Sequence, residues 1–239
     1  MASDDDAGSH VPQGAHVPQG APAWGYPSSS EPRWPAMCAV LVAMALQFVL
    51  PDTVIRGLGP RWLIPVLEGL FAAALLVANP RRTTKESGRL RFASLALIAL
   101  INAANLVSLI ELVTKLVNGT THAAGRPLVF ASVPIWLTNV LVFGLWYWEL
   151  DRGGPAARLS PAHRAPDFLF PQMSSPAACP GWVPRFFDYL YTSFTNATAF
   201  SPTDTMPLTA WAKLLMMIQS LASLLTVALV ISRAVNILS

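Results

Sequence analysis

The sequence predicts an all-α membrane protein, with about five transmembrane helices and a short re-entrant or interfacial segment before the last. Three observations carry this. Of 239 residues, 53% are hydrophobic and only 12% are charged, about half the roughly 25% charged content of a soluble domain. The mean hydropathy is +0.46. The apolar residues gather into five stretches separated by Pro, Gly and charged residues. The net charge of +3 comes from Arg and Lys in the connections, where a membrane protein needs them to set its orientation. It is not a nucleic-acid footprint, and no nucleic-acid partner is expected.

Residues 1–33 read as a disordered tail. An acidic run, Asp4-Asp5-Asp6, precedes a perfect hexad repeat, His10 to Ala15 and His16 to Ala21. Pro, Gly and Ser dominate, so there is too little apolar surface to offset the entropy of ordering. The acidic start lacks the apolar stretch of a signal peptide. The repeated histidines follow from the duplication and imply no metal.

The first apolar span covers roughly Pro35–Leu50 and is stopped by Pro51. The second, roughly Trp62–Ala78, is stopped by Asn79-Pro80. Both are short for a hydrocarbon layer that takes about 20 helical residues to cross. The third runs from about Leu90 to Asn118 and the fourth from about Leu128 to Leu150. The fourth ends in Trp146-Tyr147-Trp148, an aromatic cluster of the kind found at a membrane interface. The fifth, from about Leu208 to Leu238, is longer than a bilayer needs and should tilt or protrude. Three units follow: the tail 1–33, a three-helix segment 34–127, and a C-terminal block 128–239.

Between spans four and five lies a Pro-, Ala- and Arg-rich loop, about Asp151–Val183. Within it, Asp167 to Met173 is an apolar patch that either lies on the membrane surface or packs on the bundle. The loop leads into Asp188-Tyr189-Leu190-Tyr191-Thr192-Ser193-Phe194-Thr195-Asn196-Ala197-Thr198-Ala199-Phe200-Ser201-Pro202-Thr203-Asp204. This is a short amphipathic segment followed by a Ser/Thr/Pro turn closing on an acid. Irregular backbone survives at membrane depth only when it is buried in protein or lines a water-filled cavity. Alternatively the segment docks on the membrane, and Ser201 or Thr205 caps the last helix.

The segment resembles the pore helix and filter of tetrameric potassium channels. Ser193-Phe194, Thr198 and Asp204 fit that family's pattern of Ser-Phe, Thr and a closing Asp, and Thr209 and Lys213 fit the lead into the inner helix. The resemblance implies that span four is an outer helix, span five an inner helix, and the segment between them pore-helix-like. Ser201 and Thr203, however, stand where the filter glycines would be, and Pro202 replaces the filter tyrosine. Glycine supplies the backbone angles that aim a ring of carbonyls at the ion, and Pro fixes φ near −65°. The usual selective filter is therefore not expected. The resemblance then implies either a weakly selective, hydroxyl-lined mouth at Thr198, Ser201, Pro202, Thr203 and Asp204, or a relative that does not conduct.

The block through Val235-Asn236-Ile237-Leu238 is also similar to that of uncharacterised bacterial integral membrane proteins. Their shared pattern is Asp-aromatic-Leu-Tyr, Ser/Ala-Phe-Thr, a loop Asp, a basic residue and a final Ala-Val-Asn. This similarity implies a multi-pass protein of the bacterial plasma membrane. The expected partners are the lipid bilayer and, for the pore reading, further copies of the chain; which ion would be its substrate is left open. The competing reading is a non-conducting membrane protein that binds a partner or lipid.

Ionisable groups inside spans are functional candidates by default. Glu68 sits mid-span beside Pro65 and Gly69, as a proton or cation site or as the partner of a basic group on another helix. Glu111 and Lys115 are four residues apart near the end of span three, placed to snorkel to the interface or to pair on one helix face. Asn102, Asn105 and Ser108 form one stripe, and Asn139, Gln219, Ser220, Ser223 and Asn236 are similarly placed for interhelical hydrogen bonding. Arg233 should reach the headgroups or pair with an acid. No phosphate loop, His-Glu-x-x-His helix, nucleophile elbow or metal-spaced cysteine pair occurs, so neither enzyme, cofactor nor metal is expected.

The most basic connection, Arg81-Arg82 to Arg91, belongs in the cytoplasm by the positive-inside rule. Counting spans from there puts the N-terminus and the 151–183 loop on the same side, whereas a pore loop of the potassium-channel kind enters from outside; either the loop here is inverted, or one short span is not a true crossing, or the charge rule fails for this chain. On the charge-rule topology, with Cys38 and Cys179 replaced, Thr84→Cys and Ser160→Cys should react with an impermeant maleimide from the same face of inverted vesicles. Labelling from opposite faces would overturn this topology.

Overall fold

The computed structural model describes residues 32, 34–51, 60, 62–78, 88–117, 125–158, 165–175, 178–179, 182–198 and 204–238. The chain is mostly helical. Helix α1 spans Trp34–Val49, α2 Leu63–Ala78, α3 Gly88–Val117 and α4 Gly125–Leu150. A 3-10 turn, Asp151–Gly153, and a one-turn helix α5, Pro155–Arg158, follow. Strand β1 (Phe168–Leu169) and the short α6 (Pro171–Ser174) precede α7 (Phe186–Thr198), β2 (Met206–Pro207) and α8 (Ala210–Leu238).

Among the described residues, three helices are long and apolar enough to cross a membrane: α3, α4 and α8. Sixteen residues each in α1 and α2 give about 24 Å of helix, short of a hydrocarbon core of about 30 Å. Leu50 and Pro51 lie just past the end of α1, where proline cannot continue the hydrogen-bond ladder.

Helix α4 is the central element. Against it pack α1, α3, α7 and α8, while α2 leans on α1 and α3. Burial follows from that position: 67% of the α4 span is buried, against 22% of the α8 span. The consecutive residues Trp146, Tyr147 and Trp148 do not form an interfacial belt. Successive side chains on a helix point about 100° apart, so three in a row cannot share one lipid-facing side, and Tyr147 and Trp148 are buried in the core.

Helix α7 runs antiparallel to α4. Phe186, at its start, meets Trp148 edge-on at 6.0 Å, and Ser193 reaches Val140 with a 2.6 Å hydrogen bond. It buries Phe186, Tyr189, Thr192, Ser193 and Ala197, and leaves Phe187, Tyr191 and Phe194 outward. By Thr205 the chain is again beside α7, its hydroxyl 3.1 Å from that of Thr192. Met206 then pairs with Leu169, and Pro207 with Phe168, in an antiparallel two-stranded ladder.

Thr205 does not cap the last helix, because α8 begins five residues later at Ala210. The apolar patch packs on the bundle: Phe168 and Phe170 are buried. Phe168 lies 4.9 Å from the Tyr147 ring, 5.8 Å from Trp211 and 6.4 Å from Tyr189.

The backbones of α4 and α7 touch at Gly144, where a Cβ would stand 3.2 Å from both Cα and Cδ1 of Leu190. Gly144→Val should lower stability in detergent by about 1–3 kcal/mol through overpacking, read as a fall in Tm. Gly88→Ala, with nothing within 4 Å of the new methyl, should leave Tm nearly unchanged.

Candidate functional site

Two buried polar clusters hold α7, one deep in the bundle and one at the end of α4. The deep cluster is centred on Gln219, which is fully buried. Its Nε2 donates to the Ser193 carbonyl at 2.9 Å and to Ser193 Oγ at 2.7 Å. Its Oε1 accepts from the Tyr147 hydroxyl at 2.6 Å and from Asn196 Nδ2 at 2.8 Å. Asn196 Nδ2 also donates to the Met216 carbonyl at 3.0 Å, and its Oδ1 accepts from Ser220 Oγ at 3.0 Å. One helical turn further, Asn139 Nδ2 donates to Ser223 Oγ at 3.3 Å.

The spacing explains the arrangement. Residues 219, 220, 223 and 226 fall on one stripe of α8, and that stripe faces α4 and α7. From Leu214 to Ile231, each exposed residue of α8 is apolar. The cluster lies far from the helix ends. Val140 is ten residues before Leu150 and Gln219 nine after Ala210, about 14–15 Å along each axis.

The second cluster is built on Asp151, which is also fully buried. Its Oδ1 accepts the backbone N–H of Asp167 at 2.8 Å and of Phe168 at 3.3 Å. Its Oδ2 accepts the Tyr189 hydroxyl at 2.6 Å and lies 3.4 Å from Arg152 Nε. Asp167 completes a reciprocal tie: its Oδ2 accepts the Arg152 N–H at 2.8 Å and its Oδ1 the Trp211 Nε1–H at 3.0 Å. Arg158 donates to the Trp148 carbonyl at 2.7 Å and lies over the Tyr189 ring at 5.2 Å.

The turn that aims these groups is left-handed at three successive residues, Arg152, Gly153 and Gly154, with φ of 53°, 87° and 99°. Glycine adopts such angles readily and Arg does not. At Gly154 a Cβ would also meet the Glu149 carbonyl at 2.9 Å. The ion pair and hydrogen bonds of Asp151 hold Arg152 in its less favoured angle.

Thr198 donates to the Thr195 carbonyl at 2.8 Å within its own helix, and Asp204 is exposed. Ser201, Pro202 and Thr203 lie outside the described residues. Glu68 is fully buried and is met by an uncharged group, Gln47, whose Nε2 lies 2.8 Å and 3.1 Å from its two oxygens. Glu111 and Lys115 pair at 3.2 Å as their spacing implies. Asn105 and Ser108 are buried, whereas the side chains of Arg233 and Asn236 lie outside the description. Among the described residues, no group of three or more metal-ligating side chains occurs. Both cysteines are free.

The Asp151 cluster was not visible in the sequence as a unit, although a charged pair followed by Gly153-Gly154 at a helix end marks a turn with positive φ. The Gln219 cluster had a legible half, the α8 stripe. Its partners Tyr147 and Asn196 carried no pattern of their own.

These features define a mostly helical protein with three membrane-compatible helices and an internally hydrogen-bonded C-terminal part. No family profile, no curated protein and no solved structure matches the chain.

Gln219→Leu keeps the volume but leaves the Tyr147 hydroxyl without its acceptor and removes one partner each from Ser193 and Asn196, which keep Val140 and Met216. Each orphaned buried group costs about 1–3 kcal/mol, so the loss of stability should exceed the roughly 0.6 kcal/mol typical of a single interhelical hydrogen bond in a membrane. Unfolding in mixed micelles would measure it. A change no larger than that for Leu221→Ala on the exposed face would refute the cluster's role.

Proposed function

We propose that this chain is an integral membrane protein whose C-terminal part, residues 128–239, is a re-entrant, pore-loop-like module that does not conduct ions and serves as a binding scaffold in the membrane. Support for the re-entrant path comes from the course of α7. It starts at the level of Trp148, extends to that of Val140, and the chain is back beside Thr192 at Thr205. If α4 crosses the bilayer, Ser193 of α7 lies at about half the depth of a hydrocarbon core of roughly 30 Å, and the helix continues for five residues beyond it. In chain order α4, α7 and α8 match the outer helix, pore helix and inner helix of the potassium-channel resemblance, with α7 entering from the cytoplasmic face if the charge-rule topology holds.

The observation that carries the non-conducting reading is the polar stripe of α8. A conducting inner helix needs polar groups or carbonyls facing a hydrated path. Here Gln219 and Ser220 are engaged by α4 and α7, Ser223 accepts from Asn139, and Thr226 Oγ1 donates to the Ala222 carbonyl. Thr198 is turned to its own helix. The outward faces of α7 and of α8 from Leu214 to Ile231 are aromatic or aliphatic, which suits contact with lipid or with another apolar surface.

Purified protein reconstituted into liposomes should pass neither K+ nor Na+ above the leak of protein-free vesicles, at any imposed voltage or pH. Cation flux that disappears in Asp204→Ala would overturn this reading and restore a conducting mouth at Thr198–Asp204.

A further inference from the structure

Helices α1 and α2 carry one strongly polar side chain each, and the two face one another. In α1 it is Gln47, which continues the buried row Ala36, Ala39, Val40 and Ala43. In α2 it is Glu68, on a buried stripe with Pro65 and Ala72. Gln47 Nε2 donates to the two Glu68 oxygens at 2.8 Å and 3.1 Å, and Glu68 is fully buried. From this pairing we propose that Glu68 is a proton-binding site, which takes up a proton from water at the 50–62 end of the α1–α2 pair and returns it there. The proposal concerns a different part of the chain from residues 128–239 and stands whether or not they conduct.

The surroundings of the carboxyl are the first argument. The helices packed against α2 are α1 and α3. The ionisable group of α1 is Cys38, which is exposed and nine residues, about 14 Å, before Gln47. On α3, Arg89 is exposed, and Glu111 and Lys115 pair with each other. Arg91 Nε stands 3.6 Å from where a Gly154 Cβ would be, at the Asp151 turn. Among the described residues, no guanidinium or ammonium forms an ion pair with Glu68. A buried carboxylate met only by an amide is costly, and a carboxyl so placed neutralises by holding a proton. A divalent cation is a poor substitute, because it takes about six or more oxygen ligands and the pair offers one carboxyl and one amide.

The amide supplies the second argument. A buried site that exchanges a proton needs a partner for both of its forms. The Gln47 N–H groups donate to the carboxylate, and the same side chain turned over offers Oε1 to the O–H of the acid. Neither form strands a buried group. A lysine or arginine at position 47 would serve the charged form alone.

Position supplies the third. Glu68 lies five residues after Leu63, and Gln47 two before Val49. Both are therefore within about 8 Å of the helix ends that the 50–62 connection joins. A proton has about one and a half helical turns to travel between the carboxyl and that end.

The test uses the full-length protein in liposomes and infrared difference spectra recorded in acidic, neutral and alkaline buffer. Surface carboxyls are ionised at neutral pH, so the C=O stretch of a protonated carboxyl there reports a buried acid. Such a band should be present in the wild type, shift in heavy water and fade reversibly in alkali. It should be lost in Glu68→Gln, which keeps the shape and an amide contact with Gln47. Gln47→Leu removes the donor that favours the carboxylate, so the band should persist to higher pH, a roughly tenfold tighter hold on the proton. No loss of band intensity in Glu68→Gln would overturn the proposal. So would a Glu68 band that neither heavy water nor alkali alters, the mark of a sealed structural acid. Ion flux read on the same liposomes bears on the pore-loop reading alone, so the two can fail separately.

Discussion

A polar group surrounded by hydrocarbon must find its partners within the protein, and in this chain that requirement converges on the Gln219 side chain. A single amide has two donors and two acceptor sites. Here they are shared among Ser193, Tyr147 and Asn196. The consequence is geometric. Helix α4 supplies the hydroxyl, α7 the serine and asparagine, and α8 the amide, so three helices meet at one register. Sliding any of them by a turn would leave several buried groups without partners.

At the other end of α7 the Asp151 carboxylate performs a comparable task with charge. Burying a carboxylate is costly unless it is both paired and hydrogen-bonded. Asp151 meets that condition with two backbone amides, a tyrosine hydroxyl and an arginine. One amide is that of Phe168, in the strand that pairs with Met206–Pro207, the other that of Asp167 just before it, and the hydroxyl comes from α7. One side chain thus joins the end of α4, the loop beyond it and the beginning of α7. Asp167 extends the tie to α8 through Trp211. The aromatic rings around Phe168 enclose the charges and keep water from competing for them.

The parts of this architecture that were legible in the sequence are those with a period. The long apolar stretches mark α3, α4 and α8 closely, the Glu111–Lys115 pair follows from its spacing, and the polar stripe of α8 was visible as such. What was not legible depends on residues brought together from far apart. Tyr189 is 38 residues from Asp151, and Gln219 is 72 from Tyr147; no local pattern announces either contact. The aromatic triplet at 146–148 misled because interfacial composition and core packing draw on the same side chains. Only rotation around the helix separates the two, and the neighbours of α4 set that rotation. The filter-like positions gave a resemblance of order, while Thr198 turned to its own backbone, an option always open to a threonine in a helix.

The thirteen residues of α7 have a further consequence for how the protein is made. Alone, the helix is too short to cross a bilayer, and it carries Thr192, Ser193, Thr195 and Asn196 in its middle. A nascent chain offers it no resting place in lipid until the groups that match these side chains have arrived. Those of α4 are synthesised earlier, but Gln219 and Ser220 are synthesised later. Helix α7 therefore has its full set of partners only once α8 has been made.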